Sequence, residues 1–299
     1  MKRSLIDIMK RKIISKIVSL VNKININRKL EDYPLLKNTS FSWVYDDFQS
    51  HNIEIIDFDE QENFVYLKKG ELLFLTTPDY PWIIREVFCR HTYFINPRFL
   101  KHDDYVVFDL GMNHAYASLY FAEQKWCKQV FAFELEENTY KIAQKVVSLN
   151  QLLRDKITMF NFGLGKTEGH VKTYQIPKRD GITTVNKNFL VRFAPEMIEQ
   201  IIEVENLIKK ASTILKEIVK KNNVIHIVLK IDVEGAEYDI FEDIINEYPE
   251  LLDKVDVIIG EAHSGLDPLV NSLKHFGFSE LSNKKTLNSI TTDFLFVRV

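Results

Sequence analysis

Val106-Val107-Phe108-Asp109-Leu110-Gly111-Met112-Asn113-His114-Ala115 sets an apolar run against a glycine turn. The run from Tyr105 to Leu110 has the near-continuous hydrophobicity of a strand covered on both faces. Gly111 ends it where the backbone must turn sharply or meet a ligand. Ala115 to Lys125 reads as a helix, and its first free N–H groups would attract an anion. Asp109 beside that turn suits an ammonium group and would repel a pyrophosphate. The spacing is not G-x-G-x-x-G, so the dinucleotide fingerprint is not matched.

Downstream the pattern repeats. Strands are expected at Gln129–Glu134, Ile157–Phe162, Ile225–Ile231 and Val255–Gly260, with further strands near Glu280 and over Thr292–Val299. Helices are expected at Thr139–Leu149, Ala236–Glu247 and Asp267–Phe276. His170–Ile176 reads as a short strand, and the charged, Ile-rich Glu196–Lys220 segment as helical stretches. This alternation implies an α/β fold, a mostly parallel, doubly wound sheet that binds ligands beyond its C-terminal strand ends.

Upstream, residues 1–100 read as an N-terminal extension and 101–299 as the main domain. Short strands are expected around Ile53–Phe58, Phe64–Leu67 and Leu72–Leu75, with a turn at Lys68-Lys69-Gly70-Glu71 and a helix over Trp82–Arg90. Residues 1–23 form a basic amphipathic pattern with no signal-peptide core. It could pack on its own domain or a partner subunit, including a second copy, or rest on an anionic membrane. The expected location is cytoplasmic, with the inner membrane face as the variant that this helix would allow. No run reaches the ~18 apolar residues of a membrane span. A formal net charge of −3 argues against nucleic-acid binding. Cys89 and Cys127 have no metal-like spacing and are expected to be free thiols.

Polar residues gather at the expected strand ends. Glu134 follows the second strand, where an acid can accept hydrogen bonds from ribose hydroxyls; Glu136 and Glu137 compete for that role. Asn161 and Phe162 end the third strand, where an amide and a ring could meet a base, or be ordinary turn and core residues. Leu229-Lys230-Ile231-Asp232-Val233-Glu234-Gly235-Ala236-Glu237 delivers two carboxylates into a glycine turn. Asp232 or His263 could act as a general base, or Asp232, Glu261 and His263 could hold a divalent metal ion such as Mg2+. Alternatively, Asp232 and Glu234 could cap the following helix. A structural role is expected for Glu237, with Lys230 as one partner.

These blocks — VVFDLGMNHAYASLYFA, FAFELEEN, NFGLGKTEG and LKIDVEGAEYDIF — resemble the FkbM family of S-adenosylmethionine-dependent methyltransferases over roughly residues 100–265. The resemblance implies a class I Rossmann-like methyltransferase fold whose last strand inserts antiparallel. It implies that Asp109, Gly111 and Asn113 hold the methionine part of the cofactor and Glu134 its ribose, with Asp232 near the transferred methyl group. It implies O-methylation of a sugar, nucleotide sugar or surface glycan, or of a natural product or other small molecule. A non-catalytic binding module on the same fold is the alternative. Three features depart from the family pattern: Ala115 stands where glycine is usual, Leu135 where proline is common, and the stretch from Ile182 to Asn223 is long. That stretch could be a substrate lid or a subunit contact.

Overall fold

The computed structural model describes residues 28–176, 183–285 and 291–299. The N-terminal basic segment therefore lies outside the described residues. The chain divides into two compact units, residues 1–90 with 145–152, and residues 91–144 with 153–299.

In the first unit, helix α1 (Phe41–Ser50) precedes strands β1 (Glu54–Asp59), β2 (Phe64–Lys69) and β3 (Leu72–Thr76), which form an antiparallel meander. Gly70 carries the tight β2–β3 turn at φ +57°, a conformation that glycine adopts without strain. Helix α2 (Trp82–Phe88) follows. The Asn150 side chain accepts a hydrogen bond from the backbone N–H of Leu73 and donates one to its carbonyl. It thereby satisfies two buried groups on β3.

The second unit alternates β4 (Tyr105–Leu110), α3 (Tyr116–Glu123), β5 (Cys127–Phe133), α4 (Glu137–Leu149, whose last residues belong to the first unit) and β6 (Ile157–Phe160). An insertion follows: β7 (Gly163–Gly165), β8 (Gly169–Gln175), β9 (Thr183–Thr184), α5 (Lys187–Phe193) and β10 (Ile202–Lys210). Then come α6 (Ala211–Asn222), β11 (Ile227–Ile231), α7 (Glu237–Glu247), β12 (Val255–Ala262), α8 (Asp267–Lys274), β13 (Phe278–Lys285) and β14 (Thr292–Arg298).

The main sheet has the order β13-β14-β12-β11-β4-β5-β6. All pairs are parallel except those of β14, which runs antiparallel to β12 and β13. This is the expected doubly wound sheet with an inserted antiparallel last strand. Every residue of β4 and of β11 is buried, as central strands covered on both faces require. The core between them and the helices includes Phe108, Leu229, Leu215, Ile240 and Phe241. Leu110 is in register with Phe133 and Ile231, and Ile231 with Gly260, so β4, β5 and β11 end at one level and β12 two residues beyond it. Everything that follows these residues meets at one edge.

The insertion corrects one expectation. Residues 202–210 form a strand rather than a helix, within a second sheet of order β7-β10-β8-β9. Strand pairing with β8 over seven positions outweighs the helical propensity of Glu203, Glu205, Leu207, Lys209 and Lys210. Cys89 and Cys127 are free and buried, as expected.

Candidate functional site

The shared strand edge opens into a cleft. The β4–α3 turn contributes Gly111 and Asn113, the β5 end Glu134 and Leu135, and the β11–α7 loop Asp232, Val233 and Glu234. The second sheet adds Leu164 from β7, Thr183 from β9 and Ile208 from β10. One wall is thus apolar and the other acidic.

Gly111 sits at φ +79°, and a Cβ there would lie 1.8 Å from the Asp232 carbonyl oxygen. Two strand-end loops therefore touch backbone to backbone at this point. Asn113 and Ala115 are also left-handed, at φ 52° and φ 66°. Ala115 is the N-cap of α3, in a conformation that glycine adopts without strain. Ala115→Gly should relieve this strain and raise stability by about 1 kcal/mol. A thermal melt checks this, and a lower melting temperature would show that the buried methyl group contributes more than the strain costs.

Asp109 does not reach the cleft. It is fully buried, accepts a hydrogen bond from Ser118 Oγ at 2.5 Å and pairs with Lys230 Nζ at 3.0 Å. Lys230 also donates to the Gly111 carbonyl. Burial pulls the Lys230 ammonium down, but Asp109 and Asp232 more than offset this, so it is held above its ordinary value. Asp109 thus holds a cation of the protein itself and braces the turn from behind. Lys230 partners Asp109 rather than Glu237, because the two side chains face each other across adjacent strands.

Glu134 does line the cleft. Its carboxylate accepts from the backbone N–H of Asn113 at 3.0 Å and of Glu136 at 2.8 Å. Burial raises its pKa to about 7, with the two backbone donors acting in the opposite direction. Its competitors are used elsewhere. Glu136 accepts from Thr139 N at 2.6 Å at the start of α4, and Glu137 pairs with Lys141 on the surface. Asn161 and Phe162 are not in the cleft wall. Asn161 donates to the Glu134 carbonyl at 3.0 Å, and Phe162 packs with Phe133 and Phe160. β6 stops at Phe160, two residues short of the expected end, which leaves both residues behind the turn. Leu135, Leu164 and Ile208 line the cleft instead.

The acidic wall centres on His263. Its Nδ1 donates to Glu237 Oε1 at 2.7 Å, and its Nε2 lies 3.2 Å from Glu234 Oε2 and 3.9 Å from Asp232 Oδ1. Glu261 Oε2 is also 3.9 Å from Nε2. Burial disfavours the imidazolium, but Glu234 and Glu237 outweigh it and hold His263 well above its ordinary value. Both of its ring nitrogens face carboxylates, Nδ1 that of Glu237 and Nε2 that of Glu234. Glu234 is held well above the usual carboxylate range by burial, partly relieved by His263. Burial and then Asp232 push Glu261 up to about 7.

Neither Asp232 nor Glu234 caps α7. Glu237 instead accepts from Gly235 N at 3.1 Å and Val233 N at 3.3 Å, and so fixes the loop as well as His263. Tyr93 completes the site: its hydroxyl donates to Asp232 Oδ2 at 2.8 Å. Sequence reasoning missed it, because Tyr93 sits in a loop without periodicity, 139 residues from its partner. Glu234 was missed as a partner of His263, since only the aligned ends of β11 and β12 bring the two loops together.

A family model described as the Methyltransferase FkbM domain matches residues 109–280. The chain is 24% identical over 212 residues to Methyltransferase 1 of Beauveria bassiana (strain ARSEF 2860), covering 66% of this chain and 80% of that protein. It is 27% identical over 209 residues to Methyltransferase sdnD of Sordaria araneosa, covering 64% of this chain and 79% of that one. Among solved structures it is similar to Methyltransferase FkbM from Methylobacillus flagellatus KT, with TM-score 0.40 and 13% identity over 66% of this chain and 44% of that one.

Proposed function

This chain belongs to the FkbM methyltransferase family, and from that premise we propose that it methylates a hydroxyl oxygen of a sugar-like acceptor using S-adenosylmethionine. The observation that carries this reading is the two-ended cleft, with Glu134 in one wall and Asp232 in the other. Its residues fit the cofactor. Glu134 keeps acceptor capacity for ribose hydroxyls beyond its two backbone donors. Leu135, Leu164 and Ile208 would flank the adenine, and the Gly111–Asn113 turn would meet the methionine part.

When bound, the cofactor supplies a methyl group already activated on a sulfonium. The protein must then place an acceptor oxygen in line and receive its proton. Tyr93 ties Asp232 Oδ2, which leaves Oδ1 to orient the hydroxyl and hold the proton. The carboxylates of the acidic wall favour an acceptor rich in hydroxyl donors and repel an anionic group at that point. That supports the sugar part of a sugar, nucleotide sugar or glycan over a carboxylate or phosphate acceptor, and a polyhydroxylated natural product fits equally.

The test is transfer of labelled methyl groups from S-adenosylmethionine to a panel of sugars, glycans and polyhydroxylated small molecules. Asp232→Asn should lower transfer by about 100- to 10,000-fold while S-adenosylhomocysteine still binds. Undiminished turnover would remove Asp232 from the mechanism. Calorimetry showing no heat with S-adenosylhomocysteine would favour a binding module instead.

Glu134 predicts a pH dependence. A ribose hydroxyl donates best to an ionised carboxylate, so cofactor affinity should rise with pH up to about 7 and then level off. Calorimetry at successive pH values should show a loss of about tenfold per unit below that point. Affinity that is flat between acid and neutral pH, or unchanged in shape by Glu134→Gln, would refute the assignment. Folding has the opposite sign. The folded pKa is raised, so stability is greatest below the ordinary carboxylate range and falls as pH rises toward about 7.

No described helix is long and apolar enough to cross a membrane. We keep as proposals the cytoplasmic location, the contact of residues 1–23 with a membrane surface, and self-association.

A further inference from the structure

We propose that Asp232, Glu234 and His263 bind one divalent first-row metal ion, of the Mn2+ class, at the acidic end of the cleft. This goes beyond the proposed function, because proton transfer to Asp232 needs no metal.

One ligand atom from each of the three side chains lies within 4.8 Å of the other two. They come from two loops that the aligned ends of β11 and β12 hold side by side. The ligands are also oriented from behind. His263 Nδ1 is tied to Glu237, which directs Nε2 at the two carboxylates. Glu237 is fully buried and is itself fixed by two backbone N–H groups. Asp232 Oδ2 is tied to Tyr93, which leaves Oδ1 on the side of His263. A histidine whose second nitrogen donates to a carboxylate is the usual arrangement behind a metal ion, because it sets the tautomer and strengthens the ligand.

Charge points the same way. Four carboxyl groups — those of Asp232, Glu234, Glu237 and Glu261 — face one imidazole within 3.9 Å. The neighbouring buried ammonium, Lys230, is paired with Asp109. Burying carboxylates without cations is costly, and a divalent ion offsets that cost. One imidazole with two carboxylates suits Mn2+ and its first-row neighbours better than Ca2+. Asp232 and Glu234 line the cleft, so an ion between them would present open positions to an acceptor hydroxyl. Asp232 would then serve the acceptor through the ion.

The test is titration of the full chain with Mn2+ alone, read by the loss of the free-ion electron paramagnetic resonance signal. The unaltered protein should bind one ion per chain. Glu234→Gln and Asp232→Asn should each weaken binding at least about tenfold, and Glu237→Gln about 10- to 100-fold through His263. Tyr93→Phe, which keeps the ring and removes only the hydroxyl, covers the case in which Glu237→Gln fails to fold; it should also weaken binding. His102, His226 and Asp256 form a second group with metal-ligand chemistry, so His226→Ala is the control and should leave the stoichiometry at one. No bound Mn2+ at millimolar concentration would overturn the proposal. So would unchanged binding in the Glu234→Gln/Asp232→Asn pair, or loss of the ion in His226→Ala. S-adenosylhomocysteine calorimetry separates the readings. Cofactor heat without Mn2+ binding sinks only the metal site, and Mn2+ binding without cofactor heat sinks only the methyltransferase mechanism.

Discussion

Gly111→Ala is expected to abolish detectable cofactor binding while leaving most of the sheet intact. The added methyl carbon would sit 1.8 Å from the Asp232 carbonyl oxygen, well inside van der Waals contact. That neighbour is backbone, so no rotamer change relieves the clash. The φ of +79° adds a second cost, since a side chain there is strained even in open space. The β4–α3 turn and the β11–α7 loop must separate, and both walls of the cleft move together. A displacement of about 1 Å at such a site costs about 100-fold in transfer rate. S-adenosylhomocysteine calorimetry and circular dichroism check the two halves of the claim. Cofactor affinity close to that of the unaltered protein would show that the loops do not need this contact.

Lys230→Met should be the most destabilising single change in the main sheet. It leaves Asp109, fully buried between central strands, without its cation. Breaking a buried ion pair from one side costs about 3–5 kcal/mol. For a unit of this size that is roughly a 10 °C fall in melting temperature. It also removes the donor to the Gly111 carbonyl, so the first loop loosens as well. Adding Asp109→Asn should recover part of the loss, because the orphaned charge disappears with its partner gone. A double variant no more stable than Lys230→Met would mean that the pair is not coupled.

These two residues also show how much was legible in the chain beforehand. Val106–Leu110 and Ile227–Ile231 are visible because a central parallel strand must be apolar on both faces. Gly111 is visible because it ends the first of these runs. β10 was hidden by its charge. Ile202, Val204 and Ile208 fall on alternate positions as a strand should, but Glu203 and Glu205 between them and Lys209 and Lys210 after them resemble a solvated helix face. Alternation deserved more weight there than composition.

Local pattern alone decided where the strands of the main sheet and the glycine turn after β4 lie. Hydrophobic period and glycine placement act over a few residues, so they survive in a one-dimensional reading. Which charge meets which was decided only by the tertiary structure. Asp109 looked like a ligand for a cofactor ammonium and proved to be the partner of Lys230. His263 looked like a base and proved to lie with one ring nitrogen at Glu237 and the other at Glu234. Tyr93 carried no signal at all until the fold set it against Asp232. Coulombic and hydrogen-bonding partners are chosen by distance in space and by burial, and neither is written in the order of residues along the chain.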